Sequence, residues 1–155
     1  MHIHPTAIVH PSAELGHDVE IQAFSIVEEQ AQIGPRSIIG PHCVIGAGTV
    51  LGSGTRTFSG ASIGVSPQDL KHVPGAMGKT IIGDNNVFRE AVTVSSGTVY
   101  REQAEESVTR IGSNCLFMAC SHVAHDCVVG DNVILANSVA LAGHVTVHDR
   151  VLSAG

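Results

Sequence analysis

The side chains best suited to chemistry cluster late in the chain, where Cys120, His122, His125, Asp126, Cys127 and His144 follow one another closely. Imidazoles, thiols and a carboxylate at this density admit two chemistries, proton transfer and metal ligation. The run Cys120-x-His122-x-x-His125-x-Cys127 has the outward look of a zinc segment. Which chemistry applies depends on which of these side chains converge, and that is decided by the elements that carry them.

Those elements repeat. From Ile3 the chain divides into sixes, beginning IHPTAI, VHPSAE, LGHDVE, IQAFSI, VEEQAQ, IGPRSI and IGPHCV. In this first run, as far as Ile63, position one is aliphatic except at Thr57, position five is small or β-branched, and position two is often glycine, as at Gly34, Gly40, Gly46 and Gly52. The pattern lapses after Gly64, resumes at Ile82, lapses again over 100–110 and runs clean from Ile111. A helix would turn by roughly 240° per unit and scatter the aliphatic positions. Six is a multiple of the two-residue strand period, so positions five and one point to the same side. Each unit is predicted to be a short strand and a tight turn, with the glycines serving the corners. Three units then close one coil, and about seven coils stack as a parallel β-helix on rungs of ~4.8 Å, roughly 33 Å tall.

Composition agrees with aliphatic ladders in place of an aromatic core: of 155 residues 43% are hydrophobic, only 3% aromatic, and 17 are glycine. The apolar content excludes a disordered chain. Eight Lys and Arg against 14 Asp and Glu leave a formal charge of −6, which argues against a nucleic-acid partner. No stretch approaches the roughly 20 apolar residues of a membrane span, and the N-terminus lacks the features of a leader, so a cytoplasmic protein with reduced thiols is expected. Cys43, Cys115 and Cys127 fall at the inward fifth position, where a thiol acts as a small core hydrophobe.

Counting in eighteens assigns units to faces. Those beginning at 3, 21, 39, 57, 88, 117 and 135 share the first face, and those at 9, 27, 45, 63, 94, 123 and 141 share the second. Two insertions, about 65–80 and 99–110, both leave from the end of the second face on neighbouring coils. His125 and Asp126 occupy the same corner one coil on, with Gly143 and His144 one coil beyond, and His122 points outward beside them. Long insertions in a repeat array mark its binding face. Cys127 points inward while His125 sits at the corner, so the two do not converge on one ion. The first face carries an outward apolar row of Val87, Leu116, Met118, Ile134 and Ala136, too apolar for solvent.

The hexapeptide pattern resembles that of the left-handed parallel β-helix acyltransferases, and the left hand is taken from that resemblance. Three segments are more specific: ASIGVSPQDLK at 61–71, IGDNNVFREAVTV at 82–94 and HVAHDCVVGDNVILANSVALAGHVTV at 122–147. Together they resemble the UDP-N-acetylglucosamine O-acyltransferase family, which opens lipid A biosynthesis. The resemblance implies transfer of an (R)-3-hydroxyacyl group from acyl carrier protein to the 3-hydroxyl of UDP-N-acetylglucosamine, with no cofactor, no metal and no acyl-enzyme. It makes His125 the general base, Asp126 its orienting carboxylate, and the Gly143 N–H the donor to the thioester oxygen. His122 and His144 would line the substrate site, with Asp69 and Lys71 on the nucleotide sugar. It also implies a homotrimer with each site between two prisms.

Small residues Ala124, Ala140 and Ala142 are expected to face outward and leave a groove for the acyl chain. The turn Ser95-Ser96-Gly97-Thr98 departs from the family, which carries a bulkier polar or basic pair before Gly-Thr. The family also continues past the position of Gly155 with further coils and a C-terminal helical domain, so a truncation is expected. Two other readings stay open: a β-helical scaffold without turnover, and a metal site of the γ-carbonic anhydrase kind built on His122, His125 and His144.

Overall fold

The computed structural model describes residues 1–102 and 106–154; part of the second insertion, 103–105, and Gly155 lie outside it. Its regular elements are 22 short parallel strands in three sheets of eight, seven and seven. The first sheet runs from His2–Ile3 to Leu152–Ser153, the second from Ile8–Val9 to Ala140–Leu141, and the third from Glu14–Leu15 to Thr146–Val147. Each strand pairs with the strand three elements on, as in a coil of three strands: Ile8 with Ile26, His122 with Ala140, Val128 with Thr146. The faces read from the spacing are the sheets observed.

Positions one and five fill the interior. Val19, Ile21, Ile39, Cys43, Ile45, Ile63, Val94, Val123, Cys127 and Leu135 are all fully buried. Phe88 and Phe117 stack face to face on adjacent coils at 4.8 Å, the rung spacing itself. The thiols of Cys43, Cys115 and Cys127 are buried and pushed upward in pKa, first by desolvation. Cys120, at a corner, is exposed.

The corners work differently from the expectation. Position four of nearly every unit takes a left-handed backbone, and most of these residues are not glycine: Phe24 (φ 59°), His42 (55°), Asn85 (55°), Ala91 (56°), Asp126 (60°) and His144 (62°). The glycines at position two have another cause. A Cβ on Gly34 would lie 2.6 Å from the backbone of Gly52, and one on Gly40 would lie 2.5 Å from the Thr57 carbonyl. They let successive coils approach, while the turn is made two residues later.

The insertions also differ from their predicted limits: the first is shorter at both ends, and the second begins and ends about three residues earlier. Strand Ser62–Val65 includes Val65, Lys79–Ile82 includes Thr80, and Val108–Ile111 includes Thr109 and Arg110. The segments off the coil are therefore 66–78 and 96–107. Both lie between a second-sheet strand and a third-sheet strand on neighbouring coils, at one corner.

Candidate active site

The next coil at that corner carries strand His122–Val123, then Ala124, His125 and Asp126, and returns through Val128–Val129. Val123 and Cys127 point inward and are fully buried, which forces His125 and Asp126 between them to the outside of the turn. Asp126 adopts its left-handed conformation with its N–H donated to Thr109 Oγ1 at 2.9 Å. Its carboxylate accepts the Thr98 N–H, 3.3 Å from each oxygen, at the root of the second insertion.

His125 Nδ1 lies 2.8 Å from Asp126 Oδ2, which fixes the ring and leaves Nε2 as the free nitrogen. Nε2 lies 3.8 Å from Oδ2 of Asp69, delivered by the first insertion. His144, one coil on, sets its ring edge-on to His125 at 5.1 Å, with Nε2 3.7 Å from Asp126 Oδ2. Gly143 has a specific reason to be glycine: a Cβ there would lie 2.6 Å from both Cε1 and Nε2 of His125. The missing side chain makes room for the imidazole. The Gly143 N–H donates to no group among the described residues, whereas the neighbouring His144 N–H donates to the His125 carbonyl at 3.0 Å.

Asp69 accepts the Lys71 N–H on Oδ1 at 2.9 Å and the Tyr100 hydroxyl on Oδ2 at 3.2 Å. The Lys71 amide above all, then the Tyr100 hydroxyl and the nearby His125 and Lys71 charges, hold its carboxyl below the usual carboxylate range. Tyr100 is pushed upward by burial and by Asp69, so its hydroxyl stays protonated and donating. Lys71 is exposed and lines a cleft of about 490 Å³ between the insertions, together with His72, Val73, Tyr100 and Arg101. His122 Nδ1 meets Thr93 Oγ1 at 2.7 Å, and burial is the main cause that lowers its pKa, so the ring is held neutral.

The structure thus gathers His125, Asp126, Gly143, His144 and Asp69 about one point, with His122 beside them and Lys71 at the cleft. Ala140 and Ala142 are exposed as expected, whereas Ala124 is covered, at 9% exposure. The metal-capable donors also differ from the expected set. His125, Asp126 and His144 bring ligand atoms within 4.8 Å of one another, while His122 is tied to Thr93 instead. Three positions escaped the sequence reading: Thr98, which holds Asp126, and Tyr100 and His72, which join the two insertions. Their roles rest on loop-to-loop contacts that no six-residue period encodes, although the shared corner of the insertions pointed to such contacts.

Among the described residues no helix is long and apolar enough to cross a membrane. The bacterial transferase hexapeptide model matches residues 24–58 and 109–143. An acyl-[acyl-carrier-protein]–UDP-N-acetylglucosamine O-acyltransferase of Anaeromyxobacter sp. (strain Fw109-5) is 52% identical over 155 residues, all of this chain and 58% of the relative. A solved structure of LpxA from Acinetobacter baumannii superposes with a TM-score of 0.90 at 42% identity, over 97% of this chain and 56% of that one. UDP-N-acetylglucosamine O-acyltransferase from Moraxella catarrhalis RH4 gives 0.89 at 41%, over 98% and 57%. The chain therefore spans a little over half the length of the relatives it matches. Superposition at this level requires the same hand of coiling, so the β-helix is left-handed. Over its described length the chain is a left-handed hexapeptide-repeat β-helix, similar in sequence and fold to the UDP-N-acetylglucosamine O-acyltransferases over the part of them that it spans.

Proposed function

We propose that this chain carries the catalytic corner of an acyltransferase that moves an (R)-3-hydroxyacyl group from acyl carrier protein to the 3-hydroxyl of UDP-N-acetylglucosamine, the opening step of lipid A biosynthesis. The observation that carries this reading is the His125–Asp126 pair at 2.8 Å, with Nε2 unbound between Asp69 and Gly143. An alcohol attacks a thioester poorly until a base takes its proton, and an imidazole held by a carboxylate is suited to do so.

Nε2 accepts the hydroxyl proton as the sugar oxygen bonds to the thioester carbonyl carbon. The Gly143 N–H, otherwise unengaged among the described residues, donates to the resulting oxyanion. Collapse of the tetrahedral species breaks the C–S bond, and the carrier's thiolate recovers the proton from Nε2. Asp126 holds the Nδ1 proton throughout and stabilises the transient imidazolium. Asp69, Lys71, His122 and His144 frame the sugar and its diphosphate, and Ala142 borders the acyl chain.

The same reading makes the protein a cytoplasmic homotrimer with each site between two prisms. The half-buried outward row in which Val87 pairs with Leu116 and Leu116 with Ile134 supports a packed first face. The test is acyl transfer by the purified chain with His125→Ala as control. Turnover that falls by at least ~10²-fold in the variant upholds the proposal. A wild-type chain without turnover under saturating donor and acceptor, or a variant as active as wild type, overturns it.

A further inference from the structure

His72 is nine-tenths buried in the middle of an insertion whose neighbouring residues, from Gln68 to Met77, are exposed or only partly covered. Its Nδ1 accepts the Val99 N–H at 3.0 Å, and the next residue, Val73, donates its own N–H to the Val99 carbonyl at 2.9 Å. Both polar groups of the Val99 backbone are thus taken by two consecutive residues of the other insertion. Because Nδ1 accepts, the ring proton must sit on Nε2, which is buried and finds no partner among the described residues. A buried donor left unpaired is costly, so a histidine kept here for packing alone would be a poor choice beside a phenylalanine or leucine.

The location explains the choice. Val99 lies between Thr98, whose N–H holds both oxygens of the Asp126 carboxylate, and Tyr100, whose hydroxyl binds the Asp69 carboxylate beside His125 Nε2. Fixing Val99 therefore sets two carboxylates, one on each side of the His125 ring. Resting on the acyltransfer reading above, we infer that His72 is a positioning residue. It latches the two insertions through Val99 and so holds Thr98 against Asp126 and Tyr100 against Asp69.

Two substitutions separate this from a packing role. His72→Phe keeps the ring volume and removes the acceptor. His72→Asn loses most of the ring but places a carbonyl oxygen where Nδ1 stood. The expected result is that His72→Phe lowers kcat by about 10-fold or more with KM changed less than about 3-fold, while His72→Asn recovers most of kcat. Hydrogen exchange followed on the same proteins is expected to show the Val99 and Thr98 amides protected in wild type and His72→Asn, and at least ~10-fold faster in His72→Phe. Wild-type turnover in His72→Phe, or failure of His72→Asn to restore what His72→Phe loses, overturns the inference. If the wild-type chain itself has no turnover, the acyltransfer reading fails and the exchange arm still decides the latch: equal protection of Val99 in His72→Phe and wild type sinks it.

Discussion

Replacing Gly143 by alanine adds one methyl group to the corner and leaves every backbone N–H in place, so it separates the room that Gly143 makes from the hydrogen bond it offers. The new Cβ would stand 2.6 Å from Cε1 and Nε2 of His125 and 3.2 Å from Cδ2, where ordinary contact begins near 3.4 Å. The ring must retreat by about 0.8 Å, close to the ~1 Å misplacement that costs on the order of 10²-fold in rate. It cannot retreat freely, because Nδ1 is held by Asp126 Oδ2 at 2.8 Å and Asp69 Oδ2 stands 3.8 Å from Nε2. A ring that turns away loses its carboxylate, and one that moves toward Asp69 surrenders the nitrogen that takes the substrate proton. The expected loss is about 10²-fold in kcat, or roughly 2.7 kcal/mol in the barrier, with KM little changed.

Stability should hardly move. The methyl meets the outer edge of a side chain, and Gly143 is not among the residues with positive φ, so alanine fits the backbone. Initial rates of acyl transfer at saturating donor and acceptor, alongside urea unfolding, measure both quantities. A Gly143→Ala protein that turns over within about threefold of wild type would refute the assignment of Gly143 as the space behind the imidazole. A variant that loses turnover together with several kcal/mol of stability would place the glycine in the fold instead.

Two further outcomes follow from the same coordinates. Alkylation of the native protein at neutral pH should label Cys120 quickly and leave Cys43, Cys115 and Cys127 untouched until denaturant is added, since those three are buried with raised thiol pKa; mass spectrometry that finds a second fast site contradicts the inward assignment. His122 titrates below its ordinary 6.5 when folded. As pH falls through 6.5 the unfolded chain therefore takes up that proton first, and the stability tied to the neutral ring, complete above 6.5, is lost on the way down to the folded value. The urea midpoint of wild type should drop more between pH 7.5 and pH 5.5 than that of His122→Gln; equal slopes would show that His122 is not held neutral.

The period of six made the strands, their faces and the shared corner legible because the interior of a coil admits only positions one and five, and those are read directly from residue type. The same count brought His144 to the corner of His125 and Asp126, 18 residues on from Asp126. What it could not reach was anything set by backbone torsion or by the path of the insertions. Phe24 and Ala91 give no compositional hint of a left-handed corner, and Gly34 looks like a turn residue when its reason is the coil above it. Ala124 shows the limit at finer scale: alternation sends position two outward, but it does not say whether anything covers the residue there, and Ala124 is buried. His72 and Tyr100 belong to segments without a repeat, so only the folded loops reveal that His72 reaches Val99 and Tyr100 reaches Asp69.

The strand register carries one more implication, for how such a protein can change over generations. His122 pairs with Ala140, a step of 18 residues, whereas Arg56 pairs with Val87 and Val87 with Leu116, steps of 31 and 29. Sequence distance is thus an address, read modulo one coil. Lineages can lengthen or shorten the prism only by whole turns, because losing one codon within a strand exchanges its inside and outside rows. The two long steps are the exempt places, where codons can be gained or lost without disturbing any other address. Since both open onto His125, the loops that frame a substrate can be rewritten repeatedly while the base and its carboxylate keep their positions.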